Sequence, residues 1–298
     1  MKLKKSNRTL HLMMLPSVAA LLLFSYVPMA GIIIAFQKFN PGYGLFGKSP
    51  WVGLQNFRYI FSLPSIWQVV LNTLILSVAK IVIGTILAIA TALLLNECRH
   101  KFLKRSVQTL IYFPYFISWI ILAGVLSDLL SPTSGIVNQI ITAMGGNPIY
   151  FLGDNQHFRS TLIVTDVWRD FGYNSVVYLA AITGIDMSLY EAAAIDGAGR
   201  LKQTLHVTLP GMSIIIILMI ILNLGNLLNA GFDQVFNLYS PGVYETGDII
   251  DTMVYRLGLQ QGQLSPSTAV GLLKSGVSLF LISTSYFIAA KKFDYKIF

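Results

Sequence analysis

The chain has 298 residues, 54% of them hydrophobic and only 11% charged, with a formal net charge of +8. Its mean hydropathy of +0.65 excludes an ordinary water-soluble domain and places it among membrane proteins. The lone cysteine, Cys98, excludes an intrachain disulfide, and the scattered His11, His100, His157 and His206 make no metal-ligand spacing.

A helix rising 1.5 Å per residue needs about 20 apolar residues to cross about 30 Å of hydrocarbon. Runs at 12–36, 69–95, 107–130, 162–182, 212–229 and 269–290 meet or approach that length, so the expected fold is all-α with six transmembrane helices. Lys2, Lys4, Lys5 and Arg8 precede the first run as they would in a signal peptide. Its apolar stretch exceeds the usual 7–15 residues, which favours a retained helix over cleavage after Ala30. Between the first two runs, residues 42–49 (GYGLFGKS) satisfy the phosphate-loop pattern and contain G-x-G-x-x-G. A phosphate loop needs backbone N–H groups converging between a buried strand and a helix. Here the string follows a membrane helix and is closed by Pro50, so it reads as a turn-rich loop. If ATP drives this protein, another subunit must bind it.

The second run carries Thr73, Ser77, Lys80, Gly84, Ala88 and Thr91 on one helical face, a stripe suited to close packing or to lining a path. Arg99, Lys101, Lys104 and Arg105 follow it. The fourth run holds Asp166, Trp168, Arg169, Asp170, Tyr173 and Asn174; Asp166 and Arg169, three apart, are expected to neutralise each other. Asn223, Asn226 and Asn229 recur at i, i+3, i+6 in the fifth run, with Gln234 beyond it and Lys274 in the sixth. Charges in hydrocarbon cost at least a few kcal/mol, so these groups should face the bundle or a wet cavity. The candidate substrate path is therefore Lys80, Asp166, Trp168, Arg169, Tyr173, Asn174, Asn226, Gln234 and Lys274, a set rich in rings and amides. Lys80, Arg169 and Lys274 would suit an acidic oligosaccharide.

Residues 191–211 (EAAAIDGAGRLKQTLHVTLPG) are polar and alanine-rich between apolar runs. Glu191 to Ile195 favour helix, and Gly197 and Gly199 break it. Leu201, Leu205 and Leu209 then recur at i, i+4, i+8 opposite Arg200, Lys202 and Gln203, the pattern of an amphipathic surface helix ended by Pro210 and Gly211. Basic residues orient the chain. The N-terminal four, the 99–105 cluster, Arg200, Lys202, Lys291, Lys292 and Lys296 fall on one side; Lys38, Lys48, Arg58, Arg159 and Arg256 fall on the other. Both termini, the short segment 1–10 and the loop 191–210 are then cytoplasmic, within one transmembrane domain spanning 1–298. This bias explains the net charge without any nucleic-acid partner.

Glu191-Ala192-Ala193, Asp196-Gly197-Ala198, Val207 and Leu209-Pro210 resemble the EAA loop of permease subunits of binding-protein-dependent ABC importers of the type I, maltose-permease-like group. Val207 replaces the usual Ile, and Leu205 stands where Phe is common. Residues 51–57 (WVGLQNF) are similar to the W-x-G-L-x-N-F segment of sugar permeases. Residues 231–238 (GFDQVFNL) look like the G-F-D-Q segment of the LplB and YteP type, which handles oligosaccharides of complex plant polysaccharides. The resemblance implies a cell-membrane transport subunit with no catalytic residue, metal or cofactor of its own, ATP and Mg being held by two cytoplasmic ATPase partners. It also implies a homologous second permease in a pseudo-twofold heterodimer, an extracellular solute-binding protein, and an oligosaccharide such as a rhamnogalacturonan fragment moved by alternating access. Glu191 would make a charge-assisted contact to the ATPase and Gly197 the turn. A proton-coupled secondary transporter is the alternative, with Asp166, Asp170 and Lys80 as a relay; it needs no coupling helix, and such folds often show internal repeats. A membrane-embedded sugar enzyme would want paired carboxylates beside a metal or phosphate site.

Overall fold

The computed structural model describes residues 3–293. Lys2 and Lys296, two of the topology-setting charges, lie outside the described residues, as do the side chains of Lys4, Lys5, Arg8 and Lys292. The fold is all-α. Three helices, Leu10–Phe36, Ile66–Glu97 and Leu264–Ile288, are long and apolar enough to cross a membrane singly, and three bent helix pairs raise the total to as many as six spans.

Two compact units divide the chain. The first, residues 1–66 and 254–273, begins with the helix Leu3–Leu21, a π turn at Leu22–Tyr26 and a tighter 3₁₀ stretch at Ala30–Phe36. The π turn widens the helix just before Pro28, whose missing N–H and bulky ring disfavour a regular turn. The chain then loops back onto the end of this span through the 51–57 segment. Trp51 stacks on Phe36 with ring centroids 5.6 Å apart, and Phe57 meets the same ring at 5.4 Å. Asn56 donates through Nδ2 to the carbonyls of Ala35 (2.8 Å) and Gln37 (3.0 Å), satisfying backbone acceptors that the helix end leaves open. Residues 42–49 form turns, and the hydroxyl of Ser49 accepts from the Asn40 backbone N–H. The string opens on the short 3₁₀ turn Pro41–Tyr43, and the next α-helix, Gln55–Ser62, begins only beyond Pro50, as expected of a connecting loop and not of a phosphate cradle.

The second unit, residues 67–253 and 274–298, is built on the helices Ile66–Glu97 and Asn155–Thr183. One core packs Leu76, Leu122, Phe158, Leu162, Val235 and Ile249; another packs Ala88, Ala92, Tyr178, Ile182 and Met212. The run expected to span 107–130 as one helix is instead Lys101–Phe116 followed by Trp119–Leu129, bent by 103°. Pro114 cannot continue the hydrogen-bond ladder, and extended Ser118 caps the next helix by accepting from the Ile121 N–H. The fifth run also stops early. Its helix is Ser213–Gly225, and residues 226–230 form turns closed by bonds such as Asn229 N–H to Asn226 O (2.8 Å).

Asp154 and Asp186 cap the helices that follow them. The Gln156 backbone N–H holds the Asp154 carboxyl below the usual carboxylate range, and the Ser188 N–H does the same for Asp186. Exposed apolar side chains such as Phe24, Leu12 and Phe280 are ordinary for surfaces facing lipid.

Replacing Asn56 with Ala leaves two carbonyls unpaired at the end of the first span. The expected loss is about 1–3 kcal/mol, read as a lower thermal unfolding midpoint of the purified chain. An unchanged midpoint would mean that the aromatic stack alone holds the loop.

Candidate functional site: a polar cavity in the helical bundle

The Lys80 ammonium organises the middle of the second unit. It is 8% exposed and donates to Asp166 Oδ1 (3.1 Å), to the Ala230 carbonyl (2.8 Å) and to Gln234 Oε1. The amide of Gln234 completes the knot by donating to the Leu162 carbonyl (2.7 Å) and to Thr165 Oγ1 (2.8 Å). Three helices, Ile66–Glu97, Asn155–Thr183 and Phe232–Leu238, are thus tied through one buried charge. Gly231 sits at φ +91, a backbone state that side chains disfavour, and a Cβ there would lie 3.2 Å from Lys80 Nζ. Both its conformation and its lack of a side chain keep the ammonium in place.

Beside this knot is a cavity of ≈ 290 Å³. Asp166, Asp170, Asn174 and Tyr178, at i, i+4, i+8 and i+12 of one helix, form one wall. Ser77, Lys80, Gly84 and Ala88 of the second span form another, so the middle of the small-residue stripe lines space. Thr73, at the same stripe's end, instead accepts from the Ile250 backbone N–H at 3.0 Å. Asn223, Asn226 and Asn229 line the cavity where the fifth span's helix gives way to turns, and Trp119 adds an indole ring.

Of the candidates named from sequence, Lys80, Asp166, Asn174 and Asn226 line this cavity; Trp168, Arg169, Tyr173, Gln234 and Lys274 do not. The expected Asp166–Arg169 pair is not formed. Arg169 turns toward the break in the third span, where it donates to the carbonyls of Tyr115 (3.1 Å) and Ile117 (3.4 Å), acceptors without helical partners. It also pairs with Asp170 (3.0 Å) and lies over the rings of Tyr115 and Trp119. Tyr173 stacks on Tyr115 at 3.9 Å, and Trp168 lies on the far side of its helix, 45% exposed. Gln234 is fully buried within the knot, and Lys274 is paired with Asp251 at 2.5 Å. All three cations suggested for an acidic ligand therefore have carboxylate partners within the chain. Lining residues absent from the candidate set include Asp170, Trp119 and Tyr178. The four-residue period from Asp166 points to Asp170 and Tyr178, whereas Trp119 enters only because of the 103° bend.

The 187–211 segment forms a second exposed polar feature. The helix Met187–Ile195 ends with Gly197 at φ +78, the Ala198 N–H bonding to Ala193 O (2.9 Å) and the Gly197 N–H to Ala194 O (3.0 Å). This is a Schellman closure, which needs a residue tolerant of the left-handed region. Arg200–Gln203 follows, then a π turn at Thr204–Thr208 ahead of Pro210. That turn shifts the register, so the leucine row does not act as one face. Leu209 packs beside the Ala88 and Tyr178 core, whereas Leu201 and Leu205 are exposed. Tyr190 and Thr208 (3.0 Å) tie the two arms together, and Arg200 meets Glu97 at 3.0 Å. Glu191, Ala192 and Asp196 are exposed, and Ile195 is 86% exposed at the tip.

The family described as "Binding-protein-dependent transport system inner membrane component" matches residues 81–297. The chain belongs to this family of permeases. The permease is 44% identical over 285 residues to the polygalacturonan/rhamnogalacturonan transport system permease protein YteP of Bacillus subtilis, covering 96% of this chain and 88% of that one. It is 39% identical to Protein LplB of the same organism, covering 97% and 91%. Among solved structures, a bacterial ABC transporter involved in the import of the acidic polysaccharide alginate matches with a TM-score of 0.90, 35% identity and 97% coverage of both chains. A second structure, of an alginate ABC transporter in complex with alginate pentasaccharide-bound periplasmic protein, matches with a TM-score of 0.89 and 34% identity. The permease is therefore a multispanning inner-membrane component of an ABC transport system and not its ATPase, and the system depends on a binding protein. This membership replaces the proton-coupled alternative.

Removing one partner from the knot leaves the other buried and unpaired. Lys80→Met should therefore lose about 3–5 kcal/mol of stability, whereas Lys80→Met combined with Asp166→Asn should recover part of that loss. Thermal unfolding of the two variants in detergent is the measurement; equal losses would show that the pair is not the organising contact.

Proposed function

We propose that the permease, working as one transmembrane domain, carries oligosaccharides inward, with fragments of acidic plant polysaccharides as its substrates. The observation that carries this reading is the cavity. Asn174, Asn223, Asn226 and Asn229 offer neutral amide donors and acceptors beside the Trp119 ring, the chemistry that recognises a hydroxyl-rich pyranose. The Ser77 hydroxyl, which has no hydrogen-bond partner among the described residues, adds another polar group to the cavity lining. Similarity to a polygalacturonan/rhamnogalacturonan permease, and to a transporter of the acidic polysaccharide alginate, supports the substrate class.

In this reading the permease pairs with a homologous second permease, two cytoplasmic ATPases holding ATP and Mg, and an extracellular binding protein that delivers the sugar. Residues 187–211 are the coupling element. Its exposed tip of Leu189, Ile195 and Leu201 supplies the apolar contact to the ATPase. Glu191, which makes no hydrogen bond or ion pair among the described residues, supplies a charged one. Ala192, Ala193 and Ala198 permit close approach, and Gly197 with Asp196 sets the turn between the arms. Leu209 and Pro210 join the element to the fifth span, packing beside Tyr178, which also lines the cavity. Movement of the coupling element thereby reaches the cavity wall through direct packing. ATP binding favours one of two permease states and hydrolysis the other, so the cycle is a population shift between inward-facing and outward-facing cavities.

The test is the reconstituted complex with its binding protein. Glu191→Ala should lower sugar-stimulated ATP hydrolysis about tenfold or more, as expected when a charge-assisted hydrogen bond is lost. Normal stimulation in that variant would remove Glu191 from the interface.

Uptake of rhamnogalacturonan and polygalacturonan fragments, compared with neutral oligosaccharides, tests the substrate class. Asn226→Ala should reduce uptake about fivefold without disturbing assembly. Equal uptake by wild type and variant would move substrate away from this wall.

A further inference from the structure

The helix Lys101–Tyr112 and the start of the 3₁₀ turn after it carry two adjoining surface grooves. One is lined by Lys101, Phe102, Lys104, Arg105 and Gln108; the other by Phe102, Arg105, Ser106, Thr109, Leu110 and Phe113. They share Phe102 and Arg105 and differ in character. The first is basic and lies at the helix start. The second is mostly apolar and runs along the axis toward Phe113, about 18 Å from Lys101 at the rise of an α-helix. Phe102 is 86% exposed, and Leu110 and Phe113 are also exposed. Lys101, Lys104 and Arg105 have no carboxylate partner among the described residues, and the first helical turn carries no acid.

Position fixes which leaflet this is. The basic cluster follows the short 98–100 connection from the helix Ile66–Glu97, whose last residue, Glu97, meets Arg200 of the 187–211 segment. That is the cytoplasmic end by the distribution of Lys and Arg. Basic side chains at the headgroup level, continuous with an apolar groove pointing into hydrocarbon, match a ligand with a negative head and a long apolar tail.

We propose that these two grooves form one binding site for an anionic phospholipid of the cytoplasmic leaflet. The headgroup phosphate sits against Lys101, Lys104 and Arg105, and an acyl chain lies along Phe102, Leu110 and Phe113. A zwitterionic lipid fills the apolar groove equally well, but its own cation offsets its phosphate and it brings no net charge against the three basic residues, so net charge is what selects the occupant. A free phosphate meets the charge and leaves the apolar groove empty. The site also has a mechanical address. Beyond it, the Ile111 carbonyl lies where Gly172 leaves no room for a Cβ, so the lipid-bearing helix abuts the helix that carries Asp166 and Asp170.

The test uses the assembled complex in nanodiscs containing equal amounts of phosphatidylglycerol and phosphatidylcholine, with lipid retained after delipidation identified by native mass spectrometry. Wild type should retain phosphatidylglycerol preferentially, with each basic residue contributing up to about fivefold. Lys104→Gln should lower that preference about fivefold, Lys104→Arg should keep it, and Lys101→Gln/Lys104→Gln/Arg105→Gln should abolish it while the complex still assembles. Leu110→Ser/Phe113→Ser should reduce retention of both lipids. Equal retention of the two lipids by wild type overturns the proposal, as does an unaltered preference in the triple variant. Displacement of phosphatidylglycerol by inorganic phosphate alone would assign the site to a free anion. A photocrosslinker at Phe102 that captures polypeptide instead of lipid would assign it to a partner subunit.

Discussion

The Lys80 ammonium is the constraint around which the helical bundle is arranged. An ammonium in a low-dielectric interior is tolerated only where a counter-charge and hydrogen-bond acceptors surround it. Asp166 supplies the charge; Ala230 O and Gln234 Oε1 supply the remaining acceptors. The acceptors come from two parts of the chain remote from Lys80, residue 166 and residues 230–234, so the charge sets the spacing of elements that sequence separation would leave independent. The requirement spreads outward to Gly231, which must lack a side chain, and to Thr165, which must hold the Gln234 amide from behind. The cavity borders this knot, so Lys80, Asp166 and Asp170 line it together with amides and small residues.

A parallel arrangement holds the break in the third span. The 3₁₀ turn after Pro114 ends at Phe116 and the chain runs extended through Ile117 and Ser118, so the carbonyls of Tyr115 and Ile117 take their donor from a side chain. Arg169 reaches across to both, and Asp170 and two aromatic rings share its charge. The arginine thus stands in for missing backbone donors. In doing so it brings Trp119 against the cavity, so a device that repairs the backbone also supplies the aromatic wall.

Much of this was legible in the residues and some was not. The all-α character and a total of up to six spans follow from the apolar runs, and the helix-turn-helix form of residues 187–211 follows from Gly197 and Pro210. The cavity positions of Asp166, Asn174 and Asn226 follow from the expense of polar groups in hydrocarbon. The partners of the charges were not legible. Asp166 and Arg169 have ideal spacing for a local pair, yet each found a stronger claim across the bundle: Lys80 for one, open carbonyls for the other. Local period also misled at the leucine row, where the π turn before Pro210 rotates Leu201 and Leu205 away from Leu209. Trp168 reads from the sequence as the sugar ring, whereas Trp119 occupies the cavity, because a 103° bend cannot be read from composition.

The early end of the helix Ser213–Gly225 has a consequence for a polar ligand. Thirteen residues rise only about 20 Å, less than the hydrocarbon thickness, so this helix alone does not complete a span and the turns at 226–230 continue its course. Unwound backbone within hydrocarbon is stable only against protein or a wet space, and Asn226, Asn229 and Ala230 border the cavity. The polar cavity is the protein-lined space against which this unwound backbone rests. On the proposed route, a polar ligand would exchange bulk solvent for a set of amides and not for hydrocarbon. The barrier to a polar passenger is correspondingly flattened before any motor acts, and what remains for the cycle to supply is direction.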